Sequence, residues 1–297
     1  MGIGPEVSIR AAHSFRVHGV RVILYGPESV WDGLPSARPW ERMILPEPTI
    51  APPTDRAPSA WGGTIAMESL EAAVRDAMAG QVDAVVTGPV SKQSMHLAGW
   101  KYPGQTELLA ALTGAKDWAM MMAHGRHRVL LATRHIPLRE VASSLNAEDL
   151  LRLVILADRE LGALLGRRPC ILVCGLNPHA GDGGLLGDEE STLIRPVVVE
   201  AVRQGCDARG PVSAEEAFLR WGAEVDVVIA MYHDQGVLPV KLLGIAHAVN
   251  VTLGLPMVRT SPGHGTAFSL AGTGKASERS VAAAMRWAVA LARRKAR

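Results

Sequence analysis

With 297 residues, 48% of them hydrophobic and 20% charged, the chain can bury a large core and has the composition of an ordinary globular protein. A formal charge of +2 and only 4% aromatics exclude the basic stripe with stacking rings of a dedicated nucleic-acid binder. Three cysteines without a CxxC pair exclude a disulfide framework, and no apolar run approaches the roughly 18 residues that span a bilayer.

The first expected strand is Val20–Tyr25. The stretch from Pro46 to Pro58 holds five prolines and is expected to be a surface loop. A helix over Thr64–Ala79 and a strand over Val82–Thr87 follow, then a helix at Leu108–Leu112 and a strand at Val129–Thr133. The next helix, Ala147–Leu165, has Asn146 as its N-cap and Asp149 in its first turn, where negative charge favours the helix dipole. Strand Cys170–Cys174, helices Glu189–Arg203 and Ala214–Trp221, strands Val225–Ala230, Val249–Leu253 and Met257–Thr260, and helix Glu278–Arg294 complete the series. Strands apolar on both faces and separated by helices predict a mostly parallel sheet covered on both sides. Cys170 and Cys174 read as small hydrophobes in a buried strand. With no basic-then-apolar leader before Gly2, the expectation is a reduced, cytoplasmic setting without membrane or nucleic-acid partners.

In open α/β sheets ligands sit beyond the carboxyl ends of the strands. His135, His179 and His233 each follow an apolar run there, inside turns rich in Gly, Asp and Asn. Singly, each would be a mere loop histidine. Three imidazoles on one rim suit a divalent transition metal with a position left open for substrate oxygen. The turn Gly175–Gly184 is too glycine-rich for simple connection, and Asp234 stands beside His233 as a carboxylate that can orient an imidazole. Lys92 lies at the end of Gly88-Pro89-Val90-Ser91-Lys92, again on a strand exit. The segment Thr260–Lys275 has glycines suited to phosphate or adenine contact, though the chain has no GxGxxG fingerprint and no P-loop.

These motifs are specific in combination. Gly2-Ile3-Gly4-Pro5-Glu6 resembles the opening of the isocitrate/isopropylmalate dehydrogenase superfamily, and His264-Gly265-Thr266-Ala267 with Gly272 and Gly274 resembles its cofactor loop. TGPVSK (Thr87–Lys92), PGQTE (Pro103–Glu107), HIPLREV (His135–Val141), GLNPHAGDGG (Gly175–Gly184), GDEE (Gly187–Glu190), MYHDQG (Met231–Gly236) and VNVTLGLP (Val249–Pro256) resemble the 4-hydroxythreonine-4-phosphate dehydrogenase (PdxA-type) family, in order along the chain. The resemblance implies two α/β/α lobes with a cleft between them, residues 1–110 plus 245–297 forming the cofactor-side lobe and 111–244 the metal, substrate and dimerisation lobe. It implies metal ligands His135, His179 and His233, one of them reaching a partner subunit, hence a homodimer with shared sites. It further implies substrate contacts from Gln105, Thr106, Lys241, Asn250 and Arg259, and cofactor contacts from Gly2, Gly4, Glu6, His264, Gly265, Thr266, Ala267, Gly272 and Gly274.

Three positions depart from the family pattern. Gln105 replaces a His of the biosynthetic enzymes, Ser269 replaces an acidic residue for the cofactor ribose, and the opening motif begins without its usual Gly-Asp-Pro turn and preceding strand. NAD and NADP both stay open. So do zinc, manganese, cobalt and magnesium.

The implied reaction oxidises a secondary alcohol of a small phosphorylated hydroxy acid, 4-phosphohydroxy-L-threonine above all. It gives 2-amino-3-oxo-4-phosphobutanoate, which loses carbon dioxide on the way to pyridoxal phosphate. Lys92 and Asp234 are the candidate proton acceptors. Dehydrogenation of 4-phosphothreonate, 4-phosphoerythronate or a cis-dihydrodiol is the alternative within the class. A phosphate acyltransferase-like enzyme or a non-catalytic metabolite binder is the alternative outside it.

Overall fold

The computed structural model describes residues 1–31 and 40–295. Helix α1 (Gly4–Ser14) leads to strands β1 (Ile23–Pro27) and β2 (Glu41–Leu45), helix α2 (Ala60–Met78), strand β3 (Ala84–Val86), and helices α3 (Lys92–Leu97) and α4 (Gln105–Thr113). Strands β4 (Ala119–His124) and β5 (His127–Leu131) precede helices α5 (Val141–Ser144) and α6 (Ala147–Leu165) and strand β6 (Cys170–Cys174). Helix α7 (Arg195–Arg203), strand β7 (Asp207–Val212), helix α8 (Ala214–Leu219), strand β8 (Val227–Ala230) and helix α9 (His233–Leu242) follow. Strands β9 (Val249–Leu253) and β10 (Val258–Pro262) and helix α10 (Arg279–Lys295) come last. Among the described residues no helix is long and apolar enough to cross a membrane.

The chain divides into two compact units, Met1–Lys116 with Leu255–Ala292, and a second built on Asp117–Gly254. The expected boundary put 245–254 in the first lobe. Strand β9 instead belongs to the second, because it pairs antiparallel with β4 from Ala119↔Leu253 to Ala123↔Val249.

The second unit carries its strands in the order β9-β4-β5-β8-β6-β7. From β5 to β7 every pair is parallel, as the apolar runs predict; β4 alone is antiparallel to its neighbours β5 and β9. Strands β6 and β8 are buried at every residue, so both faces of the sheet are covered. Helix α6 forms because Leu150, Leu153, Val154, Ala157 and Leu161 recur on one buried face, and because its ends are capped. The Asn146 side chain accepts the Asp149 N–H at 2.8 Å, and Gly166 closes the other end in a left-handed conformation. Val129, Leu131, Leu172, Val228 and Trp221 share one core cluster, and each large aliphatic side chain buried there contributes about 1.5–3 kcal/mol.

The first unit is built differently. Its strands form two parallel pairs, β1 with β2 and β3 with β10. Helix α2 begins four residues before its expected start, because Ser59 caps it by accepting the Gly62 N–H. It buries Ile65, Leu70, Ala73 and Val74. The proline-rich stretch holds no helix or strand, as expected. The expected helix over Glu189–Arg203 resolves into a π turn, Glu190–Ile194, followed by α7.

Candidate metal and substrate site

In the second unit three strand exits are laced together. The Thr133 N–H and hydroxyl both donate to the Met231 carbonyl, at 3.1 and 2.7 Å, which fixes the end of β5 against the end of β8. The Gln235 side chain accepts the Met231 N–H at 2.6 Å and donates to the Gly175 carbonyl at 2.9 Å, binding the exit of β8 to that of β6. This lacing sets His135 beside His233, with ring centroids 5.3 Å apart. His233 opens α9, and its Nδ1 lies 2.7 Å from Asp234 Oδ1. With the hydrogen on Nδ1, the carboxylate orients the ring and leaves the Nε2 lone pair for a ligand.

His179 is presented by an unusual loop. Residues 179–183 all have positive φ, with non-glycine His179, Ala180 and Asp182 at 53°, 53° and 43°. Each such residue costs roughly 1–2 kcal/mol. The buried Glu190 carboxylate holds the loop there: Oε1 accepts the N–H groups of Leu176 and Asn177 at 2.8 and 2.7 Å, and Oε2 accepts the Asn177 amide at 3.0 Å. A Cβ on Gly181 would stand 2.7 Å from that carboxylate, so only glycine fits. Strain held in place by a buried charge marks a loop shaped for a task other than connection. Among the described residues of the chain, no three His, Cys, Asp or Glu side chains form a metal-holding group. His135 and His233 stand together, and His179 does not complete a triad with them within one chain. Lys241, in the last turn of α9, is exposed. Asn250, on β9, keeps a buried side-chain oxygen without a hydrogen-bond partner.

In the first unit the chemistry centres on Arg259. Its guanidinium is buried in β10 and donates to Thr87 Oγ1 at 2.8 Å and to Gln105 Oε1 at 2.6 Å. Gln105 in turn accepts the Thr87 hydroxyl and donates to the Gly88 carbonyl. Burial lowers the Arg259 pKa to about 10, opposed by the nearby Glu107 carboxylate. The group therefore stays a cation at neutral pH, held by amide and hydroxyl oxygens. Thr106 is the second residue of α4, and Lys92, exposed at the start of α3, reaches within 3.8 Å of where a Gly104 side chain would begin.

The expected cofactor residues also gather in this unit. The Ile3 N–H donates to the Thr266 carbonyl at 2.9 Å, and Gly2 approaches so closely that a Cβ would stand 2.5 Å from that oxygen. Glu6 accepts the Gly272 N–H at 3.0 Å. Ala267 is left-handed at φ 39°, and the open surroundings of Gly265 and Gly274 leave backbone accessible. His264 turns one ring nitrogen to the Gly265 carbonyl and keeps the other buried and unpaired. Gly4 packs against Pro89, which connects the opening turn with the β3 exit.

The family model described as "Pyridoxal phosphate biosynthetic protein PdxA" matches residues 46–288. The chain belongs to the PdxA family. It is 36% identical to a D-threonate 4-phosphate dehydrogenase of Salmonella typhimurium, covering 98% of this chain and 96% of that protein. It is 45% identical to a 4-hydroxythreonine-4-phosphate dehydrogenase of Geobacter metallireducens over 80% of this chain and 70% of the relative. A crystal structure of 4-hydroxythreonine-4-phosphate dehydrogenase from Klebsiella pneumoniae superposes with a TM-score of 0.87 at 35% identity, over 98% and 96% of the two chains. A PdxA-family chain is an oxidoreductase of the nicotinamide-linked dehydrogenase class.

Residue type and order in this PdxA-family chain do not mark Glu190, Gln235, Thr133 and Thr87 as organising groups. Glu190 and Gln235 do stand inside the GDEE and MYHDQG motifs. What the chain order could not show is that each spends its side chain on backbone atoms of a different strand exit.

Proposed function

We propose that the chain catalyses metal-dependent, NAD(P)-linked oxidation of 4-phosphohydroxy-L-threonine to 2-amino-3-oxo-4-phosphobutanoate, which then decarboxylates. The observation that carries this reading is the adjacent pair His135 and His233, the latter oriented by Asp234. Two converging imidazoles, one of them oriented by a carboxylate, fit zinc best, then cobalt, manganese and magnesium in decreasing affinity for nitrogen donors. A third donor, His179, would come from the partner subunit of a homodimer, which accounts for a strained loop that completes no triad in its own chain. A divalent cation held there by these imidazoles would supply Lewis-acid polarisation of the substrate alcohol.

The chain's own residues supply the rest. Lys241 and Arg259 are basic side chains that suit the phosphate and carboxylate of the substrate. Asn250 offers its unpaired oxygen to a substrate hydroxyl or amine. Asp234, committed to His233, serves as a positioning residue, and Lys92, as its neutral amine, is then the better candidate to take the alcohol proton; a bound nicotinamide would supply the hydride acceptor. Gly2, Gly4, Glu6 and the 264–274 turn would hold the dinucleotide through backbone contacts. With Ser269 replacing an acid, neither NAD nor NADP is favoured by charge.

A second reading keeps the chemistry and changes the substrate to threonate or erythronate 4-phosphate. It is favoured by Gln105, whose amide is held by Thr87, Gly88 and Arg259 and presents no imidazole to a substrate. The test is a dehydrogenase assay with NAD and NADP across the three phosphorylated acids, with and without chelator. Chelator-sensitive turnover greatest on 4-phosphohydroxythreonine is expected; greatest turnover on threonate phosphate selects the second reading, and none on any of them ends both.

A further inference from the structure

The turn from His264 to Gly274 is braced by charged side chains that are already spent. Arg10, on α1, donates to the Gly274 and Ala276 carbonyls at 3.1 and 2.9 Å and pairs with Glu278 at 3.0 Å. Glu6 accepts the Gly272 N–H at 3.0 Å and lies 3.6 Å from the Arg10 guanidinium. These groups hold backbone and one another, and so fix the shape of the turn.

Arg56 is a cation of another kind. It belongs to the proline-rich stretch, which here meets the turn: its guanidinium lies 3.4 Å from where a Cβ on Gly272 would stand. Gly272 is left-handed at φ 66°, so that position stays free of a side chain. Among the described residues Arg56 makes no ion pair or hydrogen bond, not even with its exposed chain neighbour Asp55. An exposed guanidinium lying on a backbone turn without a carboxylate keeps its N–H donors for a ligand. Lys275, directly after Gly274, is exposed too, and its ammonium has no carboxylate partner among the described residues. Ser269, exposed in the same turn, brings no charge to the choice between NAD and NADP, so the choice falls to groups that meet the turn from elsewhere. The two dinucleotides differ only in a phosphate ester on the adenosine ribose. A carboxylate beside that ribose accepts its 2′-hydroxyl and repels a 2′-phosphate, whereas an arginine accommodates the phosphate.

We propose that Arg56 is the specificity-determining residue for the dinucleotide, donating to a 2′-phosphate and so selecting NADP over NAD. The inference rests on the reading of the 264–274 turn as the seat of the dinucleotide. The planar fork of the guanidinium matches two phosphate oxygens at once, and Lys275 adds a second positive charge to the same turn. Arg56 acts on dinucleotide binding alone and leaves the chemistry at the alcohol untouched.

The test measures binding of adenosine 2′,5′-bisphosphate and of 5′-AMP to the full chain by calorimetry at low ionic strength, beside kcat/KM with NADP and NAD. The wild-type chain is expected to bind the bisphosphate on the order of ten- to hundredfold more tightly than 5′-AMP. That preference should narrow as salt is raised, because the guanidinium is exposed. Arg56→Ala should lose most of it while keeping its affinity for 5′-AMP, its kcat and its Tm, and Arg56→Glu should reverse it. The kcat/KM ratio of NADP to NAD should fall in parallel. Equal binding of the two nucleotides by the wild-type chain, or a preference that survives in Arg56→Ala, overturns the proposal and leaves the dinucleotide seat standing. Binding of neither nucleotide overturns both.

Discussion

The two units of this chain make their sheets in opposite ways. In the second, six strands run edge to edge, and β6 and β8 are buried at every residue. In the first, the strands come in two separate pairs, β2 is exposed along nearly its whole length, and β1 is only half-buried over its first three residues. A paired strand buries both faces and satisfies both edges; an unpaired edge leaves the backbone to water and the side chains partly exposed. The complete sheet can therefore hold strand exits rigidly enough to place two imidazoles side by side. The split one keeps its chemistry on short hydrogen bonds around Arg259.

The largest expected effect tests the rigid unit. Asp234→Asn, which loses the partner of His233 Nδ1, should lower divalent-cation affinity and turnover by roughly 10–100-fold, and His233→Ala by more than that. Calorimetric cation titration and steady-state kinetics read both, with circular dichroism as a check on folding. Equal cation affinity in the His233 variant would remove the metal reading. Next, Leu172→Ala, in the filled core, should cost about 2–5 kcal/mol in urea unfolding. Leu24→Ala, on the wall of a cavity of about 220 Å³ in the first unit, should cost less than ~1 kcal/mol because much of its surface is already unpacked. Similar costs at the two sites would break the comparison between the units.

A smaller effect probes the first unit's hydrogen-bond set. Gln105→His removes the amide that accepts from Arg259 and Thr87, and should raise kcat/KM on 4-phosphohydroxythreonine relative to threonate 4-phosphate by about tenfold. An unchanged ratio would show that position 105 does not select substrate. The smallest concerns Asp226 of the second unit. Burial pushes its pKa up, but hydrogen bonds from Arg167 and the Cys170 N–H, with the charges of Arg167 and Arg128, pull it below the ordinary value. A carboxylate held below its unfolded pKa contributes stability above that value and loses it as pH falls through the folded one. Asp226→Asn should therefore cost about 1 kcal/mol near pH 7 and progressively less below about pH 4. A cost that is the same at pH 3 and pH 7 would assign the effect to packing alone.

Helix α6 and strands β6 and β9 have the limits that periodicity and the Asn146 cap predict. Other elements were illegible for definite reasons. Strand β7 reads Asp-Ala-Arg-Gly-Pro-Val, polar and proline-bearing, and is possible only because it lies at the sheet's edge. Strand β2 is charged and exposed, and β4, a run of three methionines, has no β-branched signal. Helix α9 carries Pro239 and Gly236 in its interior, which local propensity argues against. Its place against β5 and β8 is set by packing.

The histidines at strand exits, the carboxylate beside His233, the glycine-rich turn and the family resemblance all follow from residue type and order, because strand direction alone decides which loops share a rim. Which of those residues touch was decided by folding. The pairing of His135 with His233 and the enclosure of Arg259 by Gln105 and Thr87 join residues far apart in the chain, and the grip of Glu190 on the His179 loop joins the two ends of one turn. Contacts of that kind depend on which strands become neighbours and on which buried polar groups must find partners, and local sequence does not carry that information.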